Sequence, residues 1–94
     1  MVLSENLKKF IEKTVQEEVD SMDVWLPVID GMNKEGLEPI IKWDACIGTF
    51  RGRVISKVRN HLERELEEDD TKFILKTIQS RDADISAMFK KIIL

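Results

Sequence analysis

The stretch of residues 39–66, PIIKWDACIGTFRGRVISKVRNHLEREL, decides the fold of this 94-residue chain. Apolar side chains recur in it every three or four positions, a spacing that keeps them on one face of an α-helix. They are Ile40, Trp43, Ile47, Phe50, Val54, Ile55, Val58, Leu62 and Leu66. Gly48 and Gly52 each cost about 1 kcal/mol relative to alanine inside a helix. Because the apolar spacing continues across both glycines, we predict one helix over residues 40–66, bent at the glycines or straight, in preference to two.

The segment before this stretch predicts one long helix and one short helix. Over residues 4–23 the apolar side chains again follow helical spacing, and Ser4 suits the N-cap. A short helix over residues 27–34 would have Pro27 in its first turn and Gly36 after its end. Residues 24–29 are also β-branched and aromatic enough for a strand, but the chain offers no second strand to pair with it.

The segment after the stretch predicts a last long helix. The acidic residues 65–70 favour a helix start, with Asp70 or Thr71 as the N-cap. The apolar spacing that follows is interrupted at Arg81 and Asp82, which marks either a break or a polar notch. The sequence therefore predicts an all-α fold: a single domain over residues 1–94, built as a small bundle of three long helices and one short helix.

Length and composition narrow the class of protein. Hydrophobic residues make up 43% of the chain and charged residues 35%, with a net charge of −3, which is typical of a soluble globular domain. The one cysteine, Cys46, cannot form an internal disulfide, and the N-terminus lacks the apolar segment of a secretory signal. No apolar run approaches the length of a membrane span. These observations predict a cytoplasmic protein that does not contact a membrane.

Small residues on a flank of the long helix suggest a contact with another helix. Ala45, Gly48, Thr49, Gly52 and Ser56 recur every three or four positions, which lets a second backbone approach closely. The contact is either within the chain or with a second copy. A helix of this length also exceeds what a 94-residue globule covers, so we expect dimerisation to complete the bundle. The predicted protein interface comprises Trp43, Gly48, Phe50, Gly52 and Val54.

Positive charge is concentrated on the same helix. Residues 39–62 carry five bases and one acid, whereas residues 63–70 carry one base and six acids. A basic row beside the apolar face could follow nucleic-acid phosphates. The row consists of Lys42, Arg53, Lys57 and Arg64, and Arg51 and Arg59 flank it. Alternatively, these bases pair with acids of the first helix or of a second chain.

Catalytic groups are sparse in the sequence. His61 is the one histidine, and about 22 Å of helix separates it from Cys46, so the two cannot act together within one chain. A magnesium site at Glu67 and Asp70 is a weaker option, and no glycine-rich phosphate loop is present. We expect no catalytic residue, cofactor or metal.

The sequence thus predicts a non-enzymatic regulator or adaptor that binds protein, as a homodimer, through residues of the long helix. Nucleic-acid binding through the basic face of residues 40–66 is the alternative.

Overall fold

Five α-helices and no strand make up residues 3–93, the part of the chain that this computed structural model describes. They are α1 (Glu5–Val19), α2 (Met22–Lys34), α3 (Pro39–Leu62), α4 (Glu68–Ser80) and α5 (Asp82–Ile93). The all-α prediction is confirmed, and the strand alternative for residues 24–29 is wrong. The expected count of four helices is also wrong, because the last segment forms two helices.

The predicted start of α1 is confirmed, whereas the predicted start of α2 is wrong. The Ser4 hydroxyl accepts a hydrogen bond from the Leu7 N–H at 3.1 Å, which confirms Ser4 as the N-cap of α1. α2 begins at Met22, five residues before the predicted start, so Pro27 lies inside the helix rather than in its first turn. Gly36 follows the end of α2 with φ of +71°, a left-handed conformation that glycine adopts without steric cost.

α3 is one continuous helix through both glycines, as predicted, but it ends at Leu62 rather than Leu66. The end comes at Glu63, whose φ of 54° and ψ of 34° are left-handed and cannot continue the right-handed helix. At about 1.5 Å per residue, α3 is roughly 36 Å long. It therefore sets the longest dimension of the molecule, 44 Å against 23 and 20 Å.

The fourth helix starts with a capping box. The N-cap is Glu67, and Asp70 is the N3 residue whose carboxylate accepts from the Glu67 N–H at 2.8 Å. The prediction of Asp70 or Thr71 as the cap is wrong by three or four residues, although Asp70 does serve the helix start. α4 ends before Arg81, and Asp82 and Asp84 then lie in the first turn of α5, where negative charge is favourable.

The core lies between α3 and the three helices packed on it, α1, α4 and α5, while α2 packs on α5. An aromatic cluster joins these layers: the Trp25 ring stacks on Phe50 and meets Phe89 edge-on, with centroids 6.2 and 5.1 Å apart. The inner face of α3 is buried by its own chain. The cover is not complete, because Ile40 at the start of the apolar face is 64% exposed, so the expectation that a second subunit completes it stays a prediction.

None of the five helices is both long enough and apolar enough to span a membrane.

Candidate interaction surface

The predicted interface residues divide between the two sides of α3. Phe50 and Val54 are buried, at 1% and 0% exposure, against other helices of the same chain. Trp43 is half-buried, with its ring 6.3 Å from that of Phe89. Gly48 and Gly52 lie on the opposite, exposed side. The prediction that Phe50 and Val54 lie in a protein interface is therefore corrected. Both side chains belong to the chain's own core, and a partner could reach them only if the bundle opened.

The two glycines face open space. A Cβ built on either Gly48 or Gly52 would meet no other atom within 4 Å. No helix of residues 3–93 crosses α3 at this point, so the within-chain crossing considered for the small residues is wrong. We call Ile41, Asp44, Ala45, Gly48, Arg51, Gly52 and Ile55 the outer face of α3. Five of them are exposed and available to a partner, whereas Ala45 and Ile55 are half-buried and Ile55 also packs against the chain's own core.

The basic row meets a buried carboxylate of α1. Glu18 is fully buried, and its carboxylate accepts from Arg53 Nε at 2.8 Å and from Arg53 Nη2 at 3.2 Å, and also contacts the Lys57 ammonium. Burial by itself raises the pKa of Glu18, but the hydrogen bonds from Arg53 and Lys57, and then their charges, outweigh it, so the pKa is lowered. The two cations thereby tie the middle of α3 to the end of α1.

Two other members of the row also have partners inside the chain. The Arg64 guanidinium donates to Asp70 Oδ2 at 2.8 Å, and the Lys42 ammonium donates to Asn33 Oδ1 at 2.7 Å. The hydrogen bond from Arg64 is the largest influence on the pKa of Asp70 and lowers it, burial opposes it, and the Glu67 N–H adds to the lowering. All four bases of the row thus hold the bundle together.

Two of the six predicted nucleic-acid-binding residues remain without such a partner. Arg51 and Arg59 are exposed, and neither makes an ion pair or side-chain hydrogen bond with another residue in 3–93. They lie eight residues apart, about 12 Å along α3. Two arginines provide far less positive surface than the six-residue set that the sequence suggested.

Apolar side chains are exposed mainly on α2 and at the start of α3. Within residues 3–93, five of the six exposed large hydrophobic residues lie there, and the sixth is Leu75 on α4. The five are Val24, Leu26, Val28, Ile40 and Ile41, with exposed fractions between 36% and 64%. Large apolar side chains left exposed on adjoining segments of a chain are a feature that protein-binding surfaces share.

An open groove runs between α3 and the α4–α5 pair. Its volume is about 580 Å³, and its apolar lining includes Ile47, Leu75 and Ile78. Arg51 and Asp82 line the same groove, yet they do not form an ion pair. The groove therefore borders the outer face of α3 and carries one unpaired cation.

His61 and Cys46, the two residues considered for catalysis, do not come together in the fold. The His61 ring stacks on Phe10 with centroids 3.8 Å apart, and Cys46 is fully buried. Burial raises the pKa of the Cys46 thiol, and the charge of Lys42 opposes that rise only in part. Within residues 3–93, no three or more His, Cys, Asp or Glu side chains are grouped so that they could hold a metal ion.

Three residues of these contacts and surfaces were not predicted from the sequence: Glu18, Asp44 and Ile41. Glu18 follows Leu7, Ile11 and Val15 at spacings of four, four and three, which places it on the buried face of α1. An acid at such a position needs a cationic partner, so the spacing of Glu18 could have predicted its ion pairs. Asp44 was not singled out from the sequence, because it is the one acid among the bases of residues 39–62.

Comparison with known proteins gives one partial match. A uridine kinase of Chlamydia pneumoniae is 30% identical over an 82-residue alignment, which covers 76% of this chain and 37% of the kinase. The chain therefore spans little more than a third of the length of that relative. No protein-family model matches the chain. No solved structure matches it either.

Proposed function

We propose that this chain is a non-enzymatic helical regulator or adaptor that binds protein, and that it does so as a homodimer. The exposed apolar residues on α2 and at the start of α3 carry the proposal, because a folded chain that covers its own core has no internal use for them. Ile40 is 64% exposed and Leu26 50% exposed. Internal pairing of the basic row supports a partner that is bound through apolar contacts more than through charge.

Light scattering over a concentration series tests the homodimer. We expect a mass approaching twice 10.9 kDa at high concentration. A mass of one chain at every concentration would contradict it.

Capture experiments test the adaptor role. A protein retained by the tagged chain from a lysate of its own cells should be lost with Ile40→Asp or Leu26→Asp. It should be retained with Lys72→Asp, a matched exposed position on α4. Because Ile40 and Leu26 lie outside the core, circular dichroism should show all three variants folded. Equal retention by all variants would refute the assignment of this surface.

Nucleic-acid binding is the second candidate, and the exposed, unpaired Arg51 and Arg59 favour it. It predicts binding of labelled DNA or RNA that weakens steeply with salt and is reduced by Arg51→Glu or Arg59→Glu. Absence of binding at about 50 mM salt would exclude it, because electrostatic binding is strong under that condition.

Partial similarity to the uridine kinase raises a third candidate, phosphorylation of uridine. A kinase positions the phosphates of its nucleotide, commonly with a glycine-rich loop, and these 94 residues contain no such loop. We propose that this chain does not phosphorylate uridine by itself. Incubation of the chain with ATP and uridine should give no uridine monophosphate, and its formation above a no-protein control would refute this.

A further inference from the structure

The outer face of α3 carries a pattern that complements itself. Ile41, Asp44, Gly48, Arg51 and Ile55 follow one another at spacings of three, four, three and four, which places all five on one side of the helix. Within this set, the residue nearest to Gly48 on each side is charged, and the residue beyond it is an isoleucine. The charge is negative on the N-terminal side and positive on the C-terminal side.

Such a pattern matches a second copy that runs antiparallel. A two-fold axis through Gly48 would place residues before the glycine opposite residues after it on the partner. Ile41 then faces Ile55 of the second copy at each end. Asp44 and Arg51 lie four residues before and three residues after the axis, so they come opposite each other to within one residue, about 1.5 Å along the helix.

Both charges are free to make this contact. Asp44 and Arg51 are exposed, and neither has an ion-pair or side-chain hydrogen-bond partner in residues 3–93. This distinguishes them from Arg53, Lys57 and Arg64, whose charges are held by Glu18 and Asp70. The unpaired charges of α3 are thus one acid and two bases, and the acid and one of the bases flank Gly48.

The exposure of Ile41 and the open space at Gly48 leave room for a second helix against this face. Ile41 is 47% exposed, and a Cβ at Gly48 would meet nothing within 4 Å. A partner helix could therefore approach closely at the centre, while Ile41 would gain the apolar contact that its own chain does not provide. Leu75 on α4, 41% exposed, borders the groove next to the same side of α3.

We propose that two copies of this chain associate through the outer faces of their α3 helices, antiparallel about a two-fold axis at Gly48, with Asp44 of each copy paired to Arg51 of the other. This rests on the homodimer of the proposed function and specifies its contact. The contact is isologous, so it closes at two subunits and leaves α2 of both copies free for a further partner.

Charge exchange tests the contact, with sedimentation or light scattering as the readout of the dimer dissociation constant. Arg51→Asp and Asp44→Arg should each raise that constant by about tenfold or more, because each reversal replaces two attractive contacts across the axis with two repulsive ones. The double variant, Asp44→Arg with Arg51→Asp, should return to within about threefold of the unaltered chain, because the pairs reform with exchanged sign. Lys76→Asp on α4 is the matched control and should leave the constant unchanged.

Gly48→Leu supplies a second test that does not depend on charge. The added side chain has open space within the chain and leucine favours a helix over glycine, so the variant should keep its circular dichroism spectrum and unfold at the same or a higher denaturant concentration. It should be monomeric, because the leucine would block the approach of the second helix.

The outcomes separate this contact from the homodimer itself. If the unaltered chain dimerises but neither the single reversals nor Gly48→Leu weaken the dimer, the α3 contact is refuted while the homodimer stands. The contact is also refuted if the double variant is no better than the singles. A chain that is monomeric throughout the concentration series refutes both.

Discussion

Replacing Glu18 with glutamine should show how far the bundle depends on one buried carboxylate. Glu18 is fully buried at the end of α1 and is contacted by Arg53 and Lys57 of α3. Glutamine has nearly the same size, so the packing around it should change little. The amide nevertheless carries no charge, and its NH₂ group would face one of the two cations.

The cost can be estimated from the contacts. Hydrogen bonds to charged groups contribute about 1.5–3 kcal/mol each when they are well shielded. The side chains of Arg53 and Lys57 are 37% and 43% exposed, so water can replace part of what each loses. We therefore expect Glu18→Gln to lower the free energy of unfolding by about 2 kcal/mol, which for a domain of this size lowers the melting temperature by roughly 10 °C.

Urea denaturation followed by circular dichroism at neutral pH measures this loss. Glu17→Gln is the matched control: Glu17 adjoins Glu18 in sequence, but its side chain is 54% exposed and pairs only with Lys13 on the surface. The control should change the free energy of unfolding by less than about 0.5 kcal/mol. If Glu18→Gln changes it no more than the control does, the ion pairs of Glu18 do not hold α1 to α3.

The pH dependence of the same variant has a definite sign. The pKa of Glu18 is lowered in the folded chain from its ordinary value of 4.5, so the unfolded chain takes up the proton first as the pH falls. The stability that Glu18 contributes is present above pH 4.5 and is lost as the pH falls through the lowered pKa. The difference between the unaltered chain and Glu18→Gln should therefore shrink below pH 4.5, and a constant difference down to strongly acid pH would contradict the assignment.

Three further changes test other parts of the fold. Asp70→Ala removes the capping box of α4 and the partner of Arg64, and it should lower the free energy of unfolding by about 1–2 kcal/mol in urea titrations; no loss would show that α4 starts independently of Asp70. Glu63→Gly should raise the free energy of unfolding by about 0.5–1 kcal/mol, because Glu63 is left-handed at the end of α3 and glycine adopts that conformation without strain; a loss would contradict the strain. Cys46 should react with a thiol reagent far more slowly in the native chain than in urea, because it is buried and its thiol pKa is raised; equal rates would show that the core opens freely.

Helix formation in this chain follows from local spacing. The apolar residues of α1 and α3 recur at three and four positions over several turns, and no stretch offers a partner for a strand. The continuity of α3 through Gly48 and Gly52 was predictable for the same reason: the apolar spacing does not change across them. These are properties of the chain one turn at a time, so the sequence alone determines them.

Helix ends were less predictable, because they depend on backbone geometry as well as on spacing. Leu66 keeps the apolar spacing of α3, yet the helix stops four residues earlier at a left-handed Glu63. In the sequence, the polar residues Arg81 and Asp82 are compatible with a break between two helices and with a polar notch in a single helix. The choice of a break depends on how α4 and α5 pack against α3.

What the sequence determined by itself is that this is an all-helical chain whose longest helix is rich in both small residues and positive charge. The tertiary structure alone decided which of those residues are free. Phe50 and Val54 are used by the chain's own core, and Arg53, Lys57 and Arg64 are used by Glu18 and Asp70. The physical reason is that a side chain's face is a local property, whereas its burial and its ion-pair partner depend on which distant segment is packed against that face.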